Sequence, residues 1–246
     1  ARAMEILEAV LDRKPDETAA IHYYIHASEF AGHAPLALSY AKRLAGLAPG
    51  AGHLVHMGTH TLMRVGLYQD VALENAQALR VDAETGVSAL NSPTGPRYYL
   101  HNFLFGLSGA MMAGDRGLAL KYADHAGVGF PMSANLERGA TARARSLVAL
   151  GRFAPDRALA VPEGPNDLRI LKIYRHYARG EAFATKGDAA GVRVEAAAIA
   201  ALGGEALKAA EVQNAQVAEV AGGVLTGRAA MLDGQPLEKH MGRKKI

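Results

Sequence analysis

Residues 21–26 read IHYYIH and residues 55–60 read VHMGTH, two segments that carry a histidine pair in the same spacing. In the first segment the pair is His22 and His26. Residues four apart lie on one face of an α-helix, so each pair points two imidazoles the same way. The second pair follows the first by 34 residues, which indicates equivalent positions in neighbouring helical repeats.

A 34-residue period is typical of the tetratricopeptide helical hairpin. The composition agrees with helices, because only 6% of the residues are aromatic and alanine and leucine are abundant. Glycine turn signals mark the later hairpins, namely Gly66, Gly114, Gly151, Gly187 and Gly234. The sequence therefore predicts an all-α, tetratricopeptide-like superhelix (solenoid) of about six hairpins, whose concave face is the default binding surface.

One repeat domain is predicted over residues 1–246, with histidine-rich hairpins at about 16–125 and plain repeats at about 126–246. The glycines and prolines of residues 85–99 predict an inserted loop. Both ends are expected to be incomplete, since the first helix has no partner before it and the chain stops soon after the last turn signal. Either missing flanking repeats or a homo-oligomer is then expected to cover the ends.

Composition excludes several classes of function. The chain has no cysteine, so disulfides, thiolate metal sites and a cysteine nucleophile are excluded. The net charge of +3 is small and the basic residues do not cluster on one predicted face, so we expect no nucleic acid partner. No run of eighteen apolar residues is present, so we expect a soluble chain without a membrane span. The sequence leaves cytoplasm and periplasm both open.

The histidine pairs predict a metal site across the first hairpins. First helices of adjacent repeats lie side by side, so His22 and His26 can face His56 and His60. Neutral imidazole nitrogens suit a divalent ion such as zinc, copper or iron, and the type of ligand does not choose among these metals. Three further residues on the same faces are alternate ligands, namely His53, His101 and Glu29.

The same pattern has a second interpretation that needs no metal. A concave groove lined by neutral histidines would bind a peptide or protein partner, as a non-catalytic interaction module. The sequence contains no HExxH, GxSxG or Walker motif, so it does not decide whether the protein is an enzyme.

The segments IHYYIHASE, GHLVHMGTH and RYYLHNFLF resemble a histidine-rich family of bacterial tetratricopeptide-repeat proteins with the pattern HYxIH, GHxxHMxxH and HN. The resemblance covers roughly residues 5–125 and implies the repeat fold, but no particular activity. It marks a recurrent polar set consisting of His22, His26, His53, His56, His60, His101 and Asn102. This chain departs from the pattern at Gly58 and Thr59, and at Leu104, where relatives have another histidine.

Overall fold

The described part of the chain is entirely helical apart from short connections. The computed structural model describes residues 2–86, 95–132, 135–164, 167–204 and 212–234. No β-strand occurs in these ranges, which confirms the predicted all-α class.

Twelve α-helices follow one another in the described ranges. The first seven are α1 (Arg2–Leu11), α2 (Thr18–Phe30), α3 (Leu38–Leu47), α4 (Gly52–Arg64), α5 (Tyr68–Glu84), α6 (Gly95–Ala113) and α7 (Arg116–Gly129). The other five are α8 (Leu136–Phe153), α9 (Pro155–Ala160), α10 (Arg169–Thr185), α11 (Ala189–Gly204) and α12 (Val212–Leu232). Helices that are consecutive in the chain pack together, as α4 with α5 and α10 with α11, and alternate helices also meet, as α2 with α4 and α4 with α6.

The chain divides into two compact units, Ala1–Tyr122 and Ala123–Ile246. The expected single repeat domain over residues 1–246 stays a prediction. None of the helices in the described ranges is both long enough and apolar enough to span a bilayer.

Four of the five predicted glycine turns are confirmed. Gly66, Gly114, Gly187 and Gly234 all have positive φ angles, between 68° and 82°. Only glycine adopts this left-handed region without a steric penalty, so it commonly follows the last turn of a helix. Gly32 also has a positive φ, of 74°, and lies 34 residues before Gly66.

The turn predicted around Gly151 lies three residues further along the chain, because Gly151 is still inside α8 and the helix ends two residues later. A Cβ atom built at this glycine would lie 2.7 Å from the Ala178 carbonyl oxygen of α10. Gly151 is therefore needed for the close approach of two helices, and the chain turns instead at Ala154, just before Pro155.

The predicted loop over 85–99 is too long at its C-terminal end. Helix α6 already begins at Gly95, with Pro96 in its first turn, where proline is well tolerated because its missing N–H would have no partner in the helix. Residues 87–94 of the predicted loop lie outside the described residues.

An apolar core in the first unit holds α1, α2, α3 and α4 together. Its fully buried members include Leu11, Ile21, Ile25, Leu44 and Met57. Ile21 and Ile25 are four residues apart and share the buried face of α2, so the neighbouring positions His22 and His26 turn to another side of the helix. The core thereby fixes the direction in which the histidines of α2 project.

Candidate metal centre

Helices α4 and α6 bring three imidazoles together in the first unit. The ring centroids of His56 and His101 are 4.6 Å apart, those of His56 and His60 are 5.0 Å apart, and those of His60 and His101 are 5.5 Å apart. One nitrogen from each ring lies within 4.8 Å of the other two. We call these three residues the histidine trio.

His56 is fully buried, and its hydrogen bonds determine which nitrogen carries the proton. Its Nδ1 lies 2.7 Å from Oδ1 of Asn75. The Asn75 amide group donates both of its hydrogens elsewhere, to Oγ1 of Thr59 at 3.1 Å and to the Val71 carbonyl at 2.8 Å. The Asn75 oxygen must therefore accept, and His56 Nδ1 donates to it. The lone pair of His56 is then on Nε2, which is buried and has no hydrogen-bond partner among the described residues.

His60 is oriented by a carboxylate in a similar way. Its Nδ1 lies 2.9 Å from Oε2 of Glu29, and Arg64 Nε donates to the other Glu29 oxygen, also at 2.9 Å. A carboxylate oxygen accepts hydrogen bonds, so His60 Nδ1 donates its proton to Glu29. The lone pair of His60 is consequently on Nε2, which faces His101.

The separation of two nitrogens matches the requirement of one metal ion. Nε2 of His60 and Nε2 of His101 are 3.4 Å apart. Two imidazoles bound tetrahedrally to zinc at roughly 2.0–2.1 Å place their nitrogens about 3.3–3.4 Å from each other. The same distance is long for a hydrogen bond between two ring nitrogens, which usually measures about 2.9–3.0 Å.

Burial keeps the trio in the neutral form that binds metals. Burial lowers the pKa of His60 to about 4, although Glu29 acts in the opposite direction. The pKa of His56 is lowered well below its usual value, mainly by burial and also by His60. Burial also lowers the pKa of His101. All three imidazoles are therefore in the neutral form near neutral pH, in which one ring nitrogen carries a proton and the other has a lone pair available for coordination.

A second group of possible ligands shares His60 with the trio. It consists of His26, Glu29 and His60, whose ligand atoms also lie within 4.8 Å of one another. Both Glu29 oxygens are already used, one by His60 and the other by Arg64. Glu29, predicted as an alternate ligand, therefore lies where it orients His60.

The two remaining predicted ligands, His22 and His53, belong to neither group within the described residues. His22 lies 5.1 Å from His26 and 5.1 Å from His53, measured between ring centroids. The His53 ring lies against Tyr98, with centroids 4.4 Å apart and ring planes tilted by 46°, and its centroid is 6.2 Å from that of His56. The six histidines thus form one continuous cluster of rings, but His22 pairs with His53 rather than with His56.

Two important neighbours of the trio were missed at the sequence level. Asn75 lies on α5 without a spacing that links it to the histidines of α4, and only its place opposite His56 identifies it. Phe105 covers the trio, with its ring centroid 5.0 Å from His56, 4.7 Å from His60 and 4.8 Å from His101. Phe105 lies four residues after His101 on α6, a spacing that could have placed it on the same face.

The metal-free protein is expected to lose stability as the pH falls from about 6.5 to about 4. The pKa values of His53 and His60 are both lowered to about 4 in the folded chain, so the unfolded chain binds protons in this window that the folded chain does not. Linkage then reduces the free energy of unfolding, by on the order of 3 kcal/mol for each of the two histidines before solvent screening is taken into account. Urea unfolding at a series of pH values measures the loss.

Histidine variants separate this effect from the titration of carboxylates. His53→Gln should make the loss between pH 6.5 and pH 4 smaller, because one buried imidazole no longer contributes. The exposed His33 provides the control, and His33→Gln should leave the pH profile unchanged. Equal profiles for the two variants would contradict the expectation.

The chain was compared with protein-family models, with characterised proteins and with solved structures. No family model, characterised protein or solved structure in these comparisons matches it.

Proposed function

We propose that His56, His60 and His101 bind one divalent metal ion through their Nε2 atoms. The observation that carries the proposal is the buried Nε2 of His56, which has no partner among the described residues while Nδ1 of the same ring donates to Asn75. A buried polar atom without a hydrogen bond costs about 1–3 kcal/mol, and binding a metal removes that cost.

The hydrogen bonds around the trio also support metal binding. A histidine that ligates a metal usually donates its other ring N–H to a carboxylate, an amide or a carbonyl, which fixes the tautomer and orients the ring. His56 has Asn75 in this position, and His60 has Glu29. The remaining nitrogen of His56, Nε2, is buried without a hydrogen-bond partner among the described residues, on a ring whose centroid lies 4.6 Å from that of His101 and 5.0 Å from that of His60.

Three histidine ligands leave one coordination position of a tetrahedral ion open. Zinc sites with three protein ligands and one water are the catalytic type, because the ion lowers the pKa of the bound water to about 7. Zinc, copper and iron all accept imidazole, so the proposal covers these three ions. If that position is open, an ion held by His56, His60 and His101 would supply water activation, the chemistry of a metal-dependent enzyme.

We further infer a tetratricopeptide-like repeat arrangement for the first unit, similar to the histidine-rich bacterial family described above. The support is the 34-residue separation of the turn glycines Gly32 and Gly66, together with the packing of α2 on α4 and of α4 on α6. In this arrangement the trio lies on successive first helices, which line the concave face.

The alternative function is a non-catalytic module that binds a peptide or protein partner in its groove. Metal analysis distinguishes the two. Protein purified without an affinity tag is supplied with Zn²⁺, Cu²⁺ or Fe²⁺, freed of excess ion and analysed by mass spectrometry for bound metal. We expect about one ion per chain for at least one metal, resistant to washing and removable by a chelator. Less than about a tenth of an ion per chain for all three metals would reject the proposal and favour the interaction module.

A further inference from the structure

The second compact unit contains a groove that the metal proposal does not involve. It runs across α8, α10 and α12 and has a volume of about 620 Å³. Small-molecule sites in proteins typically measure about 300–1,000 Å³. The groove is lined by Arg145, Val148, Tyr174, Tyr177, Gln216, Val217, Val220, Ala221 and Val224.

One wall of the groove is apolar and incompletely covered. Val217, Val220 and Val224 lie on one face of α12, and Val148 of α8 also lines the groove. Val220 is 68% exposed and Val224 is 39% exposed. Covering a valine fully contributes about 1.5–3 kcal/mol, so a ligand with an apolar body would gain affinity here.

Among the described residues that line the groove, Arg145 carries the one charge. Its guanidinium carbon lies 5.4 Å from the centroid of the Tyr174 ring, an arrangement that holds the side chain over the tyrosine. No carboxylate of the described residues lies within salt-bridge distance of Arg145. The charge of Glu181 raises the pKa of Tyr177, but this carboxylate is paired with Arg228, through two contacts of 3.1 and 3.2 Å, and not with Arg145. The positive charge of Arg145 is therefore available for an anion.

Two tyrosines add neutral hydrogen-bond donors. Burial raises the pKa of both Tyr174 and Tyr177, so their phenol groups keep their protons at physiological pH. Arginine presents a planar fork of N–H groups that matches a carboxylate with two parallel hydrogen bonds. Positive charge, phenol donors and an apolar wall together describe the complement of an amphipathic acid.

We propose that this groove binds a small amphipathic carboxylate, such as a medium-chain fatty acid. The carboxylate contacts Arg145, and the hydrocarbon chain lies along the valines of α12. The groove limits the occupant to a small molecule by its volume, and none of its lining residues among those the structure describes is acidic, which disfavours a cationic occupant.

Isothermal titration calorimetry with decanoate, kept below its micelle concentration, tests the proposal on the full chain. We expect saturable binding of about one decanoate per chain, and binding of uncharged decanol that is about three- to fivefold weaker, because Arg145 is exposed and water screens its contact with a carboxylate. Arg145→Gln should weaken decanoate binding by about the same factor, so that decanoate and decanol then bind equally. The matched control is Arg143→Gln, an exposed arginine on the same helix that does not line this groove, and it should leave both affinities unchanged.

A substitution at an exposed position tests the apolar wall of the groove without removing a side chain from the core. Val220→Ser changes an exposed position and should weaken decanoate and decanol alike, because only the apolar wall is altered. The absence of saturable binding, equal affinities for decanoate and decanol, or an equal effect of Arg143→Gln would each overturn the proposal. A dimer in sedimentation that Val220→Ser dissociates would also overturn it, because a second copy of the chain would then cover the valines.

Discussion

His101→Ala is expected to weaken zinc binding by more than about 100-fold, whereas His22→Ala leaves the affinity within about threefold of the unchanged protein. Outer hydrogen-bond partners of a metal site alone contribute 10–100-fold, and the loss of a ligand costs more. His101 Nε2 lies 3.4 Å from His60 Nε2, while His22 lies outside the trio. Competition with a chromophoric chelator at pH 7.5 measures the zinc affinity of both variants.

Both variants must remain folded for the comparison to be informative, which far-UV circular dichroism checks. His101→Gln provides a second variant that preserves the size of the side chain and still lacks the imidazole ligand. His26→Ala distinguishes the two possible groups of ligands, because His26 belongs only to the group with Glu29. Loss of zinc with His26→Ala but not with His101→Ala would reject the trio and place the ion beside Glu29.

Helical spacing predicted the faces of the histidines but not which faces meet. Residues four apart lie on the same face of one helix. The relative register of two packed helices then decides which residues of the two faces come into contact. His26 meets His60, with ring centroids 5.3 Å apart, as the 34-residue period suggests. His22 meets His53 instead of His56, and this offset depends on the packing of α2 against α4, which the spacing alone does not contain.

The repeat period does not predict where His101 lies, because the turn glycines Gly66 and Gly114 are 48 residues apart rather than 34. In the structure α6 packs against both α4 and α5, and His101 reaches the two histidines of α4. Asn75 was overlooked for a related reason, because a hydrogen bond between α4 and α5 leaves no trace in the spacing of either helix.

Glycines show how far local sequence predicts the fold. The four turns at Gly66, Gly114, Gly187 and Gly234 could be predicted because a left-handed residue after a helix favours glycine strongly. Gly151 was misread because a glycine close to a proline resembles a turn, while the structure uses it for contact between helices. Only the neighbouring helix distinguishes the two uses.

Gly58→Ala is expected to destabilise the protein by about 2–4 kcal/mol, the range of severe overpacking. Gly58 lies on α4 between His56 and His60 and is buried. A Cβ atom there would lie 2.5 Å from the Ala41 carbonyl oxygen and 3.3 Å from Glu74 Oε2. The Ala41 carbonyl oxygen belongs to the backbone of α3, which cannot change conformation as a flexible side chain can. Helix α4 must therefore move away from α3. Urea unfolding of the metal-free full chain, followed by far-UV circular dichroism, measures the change.

Gly46→Ala is the matched control, because Gly46 lies in a helix of the same unit, is exposed and has no atom within 4 Å of its built Cβ. Alanine is favoured over glycine in a helix by about 0.5–1 kcal/mol, so this variant should be neutral or slightly more stable. Equal stability of the two variants would show that α3 and α4 are not in close contact at Gly58. If Gly58→Ala is instead destabilised as expected, the displacement of α4 should also weaken zinc binding, because the same helix carries two of the three proposed ligands.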